Sequence, residues 1–219
     1  MEIWESINDE IPVITYHSYS NDQWKIEDTK GLATIVDFKK GTLTVIYEKE
    51  NIYAVEDLNN LMKSMQAASE KLLTEQEKEQ QTPGNFKKKY IGKEKINGLE
   101  SDHYAIFESG NKIEDIWLSK QSFFLPMEKL FSMLKEMNKP SESIRMQFID
   151  DEQIDKLIAG LGFPIKVISY TPEGILMNEV KYAAEKEFND EEFFIPIAYD
   201  KLPLIEVYMR AYSETEMKE

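Results

Sequence analysis

The stretch "KINGLESDHYAIFESGNKIEDIWLSKQ", residues 95–121, decides the fold. His103, Ala105 and Phe107 alternate with Tyr104, Ile106 and Glu108, the two-residue repeat of a sheet strand. Ser109-Gly110-Asn111 supplies a turn, and a second strand ending in Trp117 follows. Aromatics on one side and charges at the ends suit a hairpin with one buried and one wet face. Nothing in its pattern is arranged to move a proton, so the hairpin reads as a wall rather than a reaction centre.

Upstream, the same rhythm repeats. "EIWESI", "PVITYHSYS", "QWKIED", "LATIVDF" and "TLTVIYE" are short runs of Ile, Val, Thr, Tyr and Trp. Asn8-Asp9, Asn21-Asp22, Lys30-Gly31 and Lys40-Gly41 punctuate them with turn chemistry. Strands this close in sequence pair antiparallel, as a meander. Then the period changes. Val55, Leu58, Leu61, Met62, Met65, Ala68 and Leu72 recur at helical spacing, and the polar run through Gln81 extends that helix toward Pro83-Gly84.

After the hairpin, "SFFLPMEKLFSMLKEMN" reads as a second helix with Ser122 as its cap. Met127, Leu130, Phe131, Leu134 and Met137 form its stripe. "DDEQIDKLIAGLG" is a shorter helix ending in glycines. "FPIKVISYT" and "ILMNEVKYAAEKE" make a last hairpin around Pro172-Glu173-Gly174, and the tail "LIEVYMRAYSETEMKE" leans helical. Hairpins interrupted by helices predict an α+β domain, residues 1–219 in one unit, with helices gathered on one face of an antiparallel sheet.

Three segments in order carry a family resemblance. They are "WKIEDTKGLATIVDFKKGTLTVIYEKENIYAV" (24–55), "GKEKINGLESDHYAIFESGNKIEDIWLSK" (92–120) and "GFPIKVISYTPEGILMNEVKYAAEKEFNDEEFFIPIAYDKL" (162–202). Together they resemble bacterial exported proteins grouped under a domain of unknown function. That group is similar in turn to the periplasmic lipoprotein carrier LolA. The resemblance implies a curved, unclosed antiparallel sheet, a half-barrel, with two to three helices packed on its concave face. It also implies a periplasmic or cell-envelope location, reached by a signal segment that "MEIWESI" does not contain.

Composition bounds the chemistry. With 26 Lys and Arg against 41 Asp and Glu, the net charge of −15 repels phosphate backbones, so no nucleic-acid partner is expected. No apolar run is long enough for a transmembrane helix. The absence of cysteine removes disulfides, thiolate metal sites and a Cys nucleophile. The two histidines, His17 and His103, sit on strands among aromatic and small polar residues and read as structural. The acidic runs at Asp150-Asp151-Glu152 and 189–192 lack the glycine and alternating ligands of a calcium loop. No catalytic residue, metal ligand or cofactor is assigned, and the expectation is a non-enzyme.

The remaining signal is apolar. Ten methionines are many, and Met suits surfaces that accept ligands of variable shape. If both main helices face the sheet, Met62, Met65, Met127 and Met133 could line a cavity with Trp24, Trp117, Phe123 and Phe131. A lipid or acyl chain would be the ligand. Plain core packing explains the same residues. In that case the chain is an envelope interaction or sensing module with a filled core and a protein partner.

Overall fold

The computed structural model describes residues 1–216 except 9, 21, 62, 65–84, 128–151, 173 and 188–189. Its strands are β1 (Glu2–Ile7), β2 (Val13–Ser20), β3 (Gln23–Asp28), β4 (Leu32–Asp37), β5 (Thr42–Tyr47) and β6 (Ile52–Asp57). The second group is β7 (Phe86–Ile96), β8 (Leu99–Glu108), β9 (Asn111–Ser119), β10 (Phe163–Thr171), β11 (Gly174–Tyr182) and β12 (Asp200–Lys201). Among the described residues all join one 12-stranded sheet, ordered β12-β6-β5-β4-β3-β2-β1-β11-β10-β9-β8-β7. The sheet is curved and unclosed, with β12 and β7 as its edges. Each run of the meander and both hairpins appear where the alternation predicts them.

Four expectations need correction. The sheet is mixed rather than purely antiparallel, because β12 runs parallel to β6 through Asp200 and Lys201. Val55 belongs to β6, where it faces Thr44, and the helical turn starts only at Leu58. Val fits either period, so it joined the apolar stripe of the helix by spacing alone. The last hairpin strand stops at Tyr182, with Ala183–Glu187 outside it. Ser122 also opens only a 3-10 turn, Ser122–Phe124, whose N-cap is Gln121 without a side-chain hydrogen bond.

Register defines the two faces. Ile3 of β1 stands opposite Thr15 of β2 and Val180 of β11. Alternation then puts Thr15, His17 and Tyr19 on that side, and Tyr19 faces Trp24, which faces Val36. Val45 and Tyr47 continue the same face, and the helix Leu204–Glu216 seats Val207 and Ala211 on them with Ile52 and Ala54. We call this the helix face. Its other end carries the largest core cluster. Ile3, Ile106, Ile116, Val167 and Val180 there meet Phe124, Met127 and, from the helix Glu152–Ile158, Ile154 and Ile158. The packing is tight, with Phe163 fully buried and stacked on Phe124 at 4.8 Å.

The opposite face is crossed by the segment from Asp190 to Tyr199, which runs on into β12. Phe193, Ile195 and Tyr199 of this strap pack on Ala33, Ile35, Ile46 and Tyr53. We call this the strap face.

Candidate functional site

The strap leaves a recess. Its volume is about 310 Å³, and it is lined by Lys25, Ala33, Ile46 and Glu48 of the sheet side and by Glu192, Phe194, Pro196 and Tyr199 of the strap. Ala33 pairs with Ile46 across β4 and β5, so a small side chain beside a branched one sets the depth of the floor. Lys25 lies one strand away, largely covered, with its ammonium 2.8 Å from Glu27. Phe194 is 61% exposed and edges the opening. The recess therefore joins an apolar floor and roof to a charged rim, the common build of a small-molecule site.

Further along the same face lies a polar lattice. His103, Trp117, Lys166, Glu179 and Trp4 stand directly opposite one another across β8, β9, β10, β11 and β1. The His103 ring stacks on Trp117 at 4.1 Å and lies between Glu94 (2.9 Å) and Asp115 (3.0 Å). Trp117 donates its indole N–H to the other Glu94 oxygen. Lys112 and Tyr170 both donate to the second oxygen of Asp115. Glu179 is gripped by Lys166, Lys181 and Asn97.

Electrostatics follow from these contacts. Hydrogen bonds from Trp117 and then His103 hold the Glu94 carboxyl below its ordinary range. Burial pushes Asp115 and Glu179 upward, but the donors around each outweigh it and both end lowered. The Asp115 contact raises the Tyr170 phenol. Every oxygen of Glu94, Asp115 and Glu179 has a partner, so the lattice braces the strands it crosses. Among the described residues no group of three or more His, Cys, Asp or Glu could hold a metal ion.

His17 sits on the helix face under different rules. Its Nε2 meets the Thr15 hydroxyl at 2.9 Å, and its Nδ1 accepts from Trp24 Nε1 at 3.2 Å. Burial, with the nearby α-amino group second, pushes the imidazole down to about 3. This is a neutral core histidine.

The expected cavity residues do not assemble as one wall. Trp24 is on the helix face, in a small cluster with Val36 and Leu58. By register Trp117 is in line with Trp4 on the strap face, and it also belongs to the large core cluster with Met127. Two residues on opposite faces of one sheet cannot line a shared cavity. Met127 is buried in the large core, and Phe123 packs against that core from its margin. Met62, Met65, Phe131 and Met133 lie outside the described residues, as does the helix end at 70–81. The recess was missed because Lys25, Ala33, Ile46 and residues 192–199 are brought together only by the strap. A proline after Phe194-Ile195 was its one local sign.

A twelve-stranded open sheet, strapped on one face and helix-packed on the other, is the class of fold in hand. The chain belongs to the family described as Domain of unknown function (DUF4412), whose model matches residues 7–199. No curated protein matches the sequence. Among solved structures, an uncharacterized conserved protein from Thermus thermophilus aligns with TM-score 0.44 and 7% identity, over 92% of this chain and 86% of that one. PNGF-II aligns with TM-score 0.39 and 12% identity, over 96% of this chain and 32% of that one.

Proposed function

We propose that this domain is a non-enzymatic binding protein of the bacterial cell envelope, holding a small apolar or amphipathic ligand beneath the strap. The recess of about 310 Å³ carries this reading. It is at the low end of the ~300–1,000 Å³ typical of ligand sites, so a short acyl chain or a single ring fits better than a long-chain lipid. A lipoprotein-carrier-like role is in this way kept in kind, and its site is moved from the helix face to the strap face. Phe124, Met127, Ile158 and Phe163 on the helix face are all nearly inaccessible, which supports looking for the ligand on the other face.

Uncharged 1-octanol, followed by titration calorimetry, tests the recess, because Glu48 and Glu192 on its rim disfavour an anion. Binding to the purified domain is expected. Phe194→Ala should weaken it tenfold or more, with Tm unchanged because this side chain is mostly exposed. Wild type that takes up no 1-octanol, and shows no adduct in native mass spectrometry, removes the reading. Envelope location is tested separately, by fractionating cells that express the native gene. Recovery of the protein in the cytoplasmic fraction would contradict it.

A protein-interaction role has one observation of its own. Ile205, Met209 and Tyr212 form an exposed stripe on the terminal helix, 67%, 58% and 51% accessible, while Val207 and Ala211 face the sheet. Such a stripe suits an envelope protein partner.

A further inference from the structure

We infer that the ligand of the strap recess is an amphipathic cation, a short alkyl chain ending in a primary ammonium group. The inference rests on the recess reading and names the class of ligand that site takes. Glu48 on the sheet side and Glu192 on the strap line the recess from two walls. Main-chain bonds hold both walls in place. The Glu48 N–H donates to the Gly31 carbonyl at 3.1 Å, and its own carbonyl accepts from Asn51 at 3.2 Å. The Asn51 carbonyl accepts from Asp200 at 2.9 Å, where the strap leaves the recess, and Tyr199 donates its N–H to Pro196 at 3.1 Å. Among the described residues the Glu48 and Glu192 carboxylates have no ion pair or hydrogen bond, so both can turn to a ligand.

The nearby lysines do not cancel these charges. Lys25, in the same lining, has its ammonium 2.8 Å from Glu27, and that pair carries no net charge. Lys49, next to Glu48 in the chain, places its ammonium 6.0 Å from the ring of Tyr47, a residue of the helix face. Two unpaired carboxylates beside a low-dielectric floor therefore set the sign of the recess. The field of a chain with net charge −15 points the same way.

The remaining lining fixes the rest of the ligand. Ala33 and Ile46 offer only apolar contact, which calls for a hydrocarbon tail, and the volume of about 310 Å³ keeps that tail short. Phe194 and Tyr199 add aromatic surface, whose faces attract a cation and repel an anion. A primary ammonium brings three N–H donors, enough for both carboxylates at once, in charge-assisted bonds stronger than neutral ones. An alcohol of the same length fills the floor and leaves the two charges without a partner.

Titration calorimetry with octylammonium, 1-octanol and octanoate tests this at pH 7, where an alkylamine keeps its proton as a lysine of ordinary pKa ~10.4 does. Octylammonium is expected to bind at a single site at least tenfold more tightly than 1-octanol, with octanoate the weakest of the three. Added salt should narrow the gap, because the rim is open to solvent. Glu48→Gln and Glu192→Gln should each weaken octylammonium at least threefold, and the double variant should bring it level with 1-octanol. Thermal melts confirm that these near-isosteric variants are folded. Wild type that binds 1-octanol as tightly as octylammonium overturns this inference and leaves the recess reading standing. A preference for octylammonium that persists in the double variant also overturns it, since the attraction then belongs to the net charge and not to these two groups. So does octanoate binding more tightly than octylammonium. Uptake of none of the three removes the recess reading and this inference together.

Discussion

Lowering the pH from 7 to 4 is expected to remove about 3 kcal/mol of stability from this domain through one side chain, His17. The folded-state imidazole is depressed to about 3. An unfolded histidine titrates near ~6.5. Between those values the unfolded chain binds a proton that the folded chain refuses, so stability falls as pH falls, and the loss is complete only below the folded value. The cause is geometric. Trp24 Nε1 points a donor at Nδ1, which must therefore stay unprotonated, and the Thr15 hydroxyl meets Nε2. The charged ring would face an indole donor in a buried site with the positive α-amino group nearby.

The buried α-amino group of Met1 is also depressed, so it costs stability in the same direction from nearer pH 8 downward, in wild type and in any His17 variant alike. The carboxyls titrate lower in the scale or with opposite sign. Asp37, Glu94, Asp115 and Glu179 are depressed carboxyls, so their contributions are present above the ordinary carboxylate range and are lost below it. Glu5, on the helix face with His17, is raised by burial, so its proton uptake partly offsets the loss. The window from pH 6.5 down to about 4.5 belongs mainly to His17. Urea midpoints measured across that window should fall steeply in wild type and much less in His17→Gln, which keeps a donor and an acceptor but cannot ionise. Parallel curves for the two proteins would refute a neutral buried imidazole.

How much of this was legible in the sequence depends on what each feature requires. The strands of the opening hairpin were readable because Tyr104, Ile106 and their neighbours alternate locally, and one window of ten residues contains the whole signal. Burial of Met127 was readable for the same reason. The face of a tryptophan was not. Trp24 and Trp117 each sit on an ordinary alternating strand, and only the register through β2, β1, β11 and β10 shows that they point apart. One slipped residue in any of those pairings would reverse the answer. The bulges between Glu2 and Ile3 and between Pro164 and Lys166 are slips of this sort, and only the second has a sequence mark, the proline itself.

The recess is illegible for a related reason. Ala33 and Ile46 look like any core pair, and what makes them a floor is a strap about 150–160 residues later in the chain. The parallel step at β12 rests on two backbone contacts, Asn51 to Asp200 and Tyr53 to Leu202, that no side-chain pattern announces.

Phe163→Ala is expected to cost about 3–5 kcal/mol, which for a domain of this size lowers Tm by roughly 2–4 °C per kcal/mol. Phe163 opens β10, has no accessible surface, and lies nearly parallel to Phe124 at 4.8 Å. Its loss therefore removes buried apolar surface and leaves a void bounded by the Phe124 ring and the rest of that core. Gly162 just before it has φ +129, and an added Cβ would stand 2.6 Å from the Ser119 carbonyl oxygen, so the chain entering β10 has little freedom to collapse into the gap. The same substitution separates a filled core from a ligand cavity on the helix face. In a filled core, benzene should bind only the variant and restore part of its lost Tm, because a dry apolar void of that size accepts an aromatic ring. If an open cavity already existed beside Phe124, wild type would bind benzene too, and the truncation would merely enlarge the site at a smaller cost. Benzene-dependent stabilisation of wild type, together with a loss under about 1 kcal/mol in the variant, would return the binding site to the helix face, below the range expected for a packed Phe.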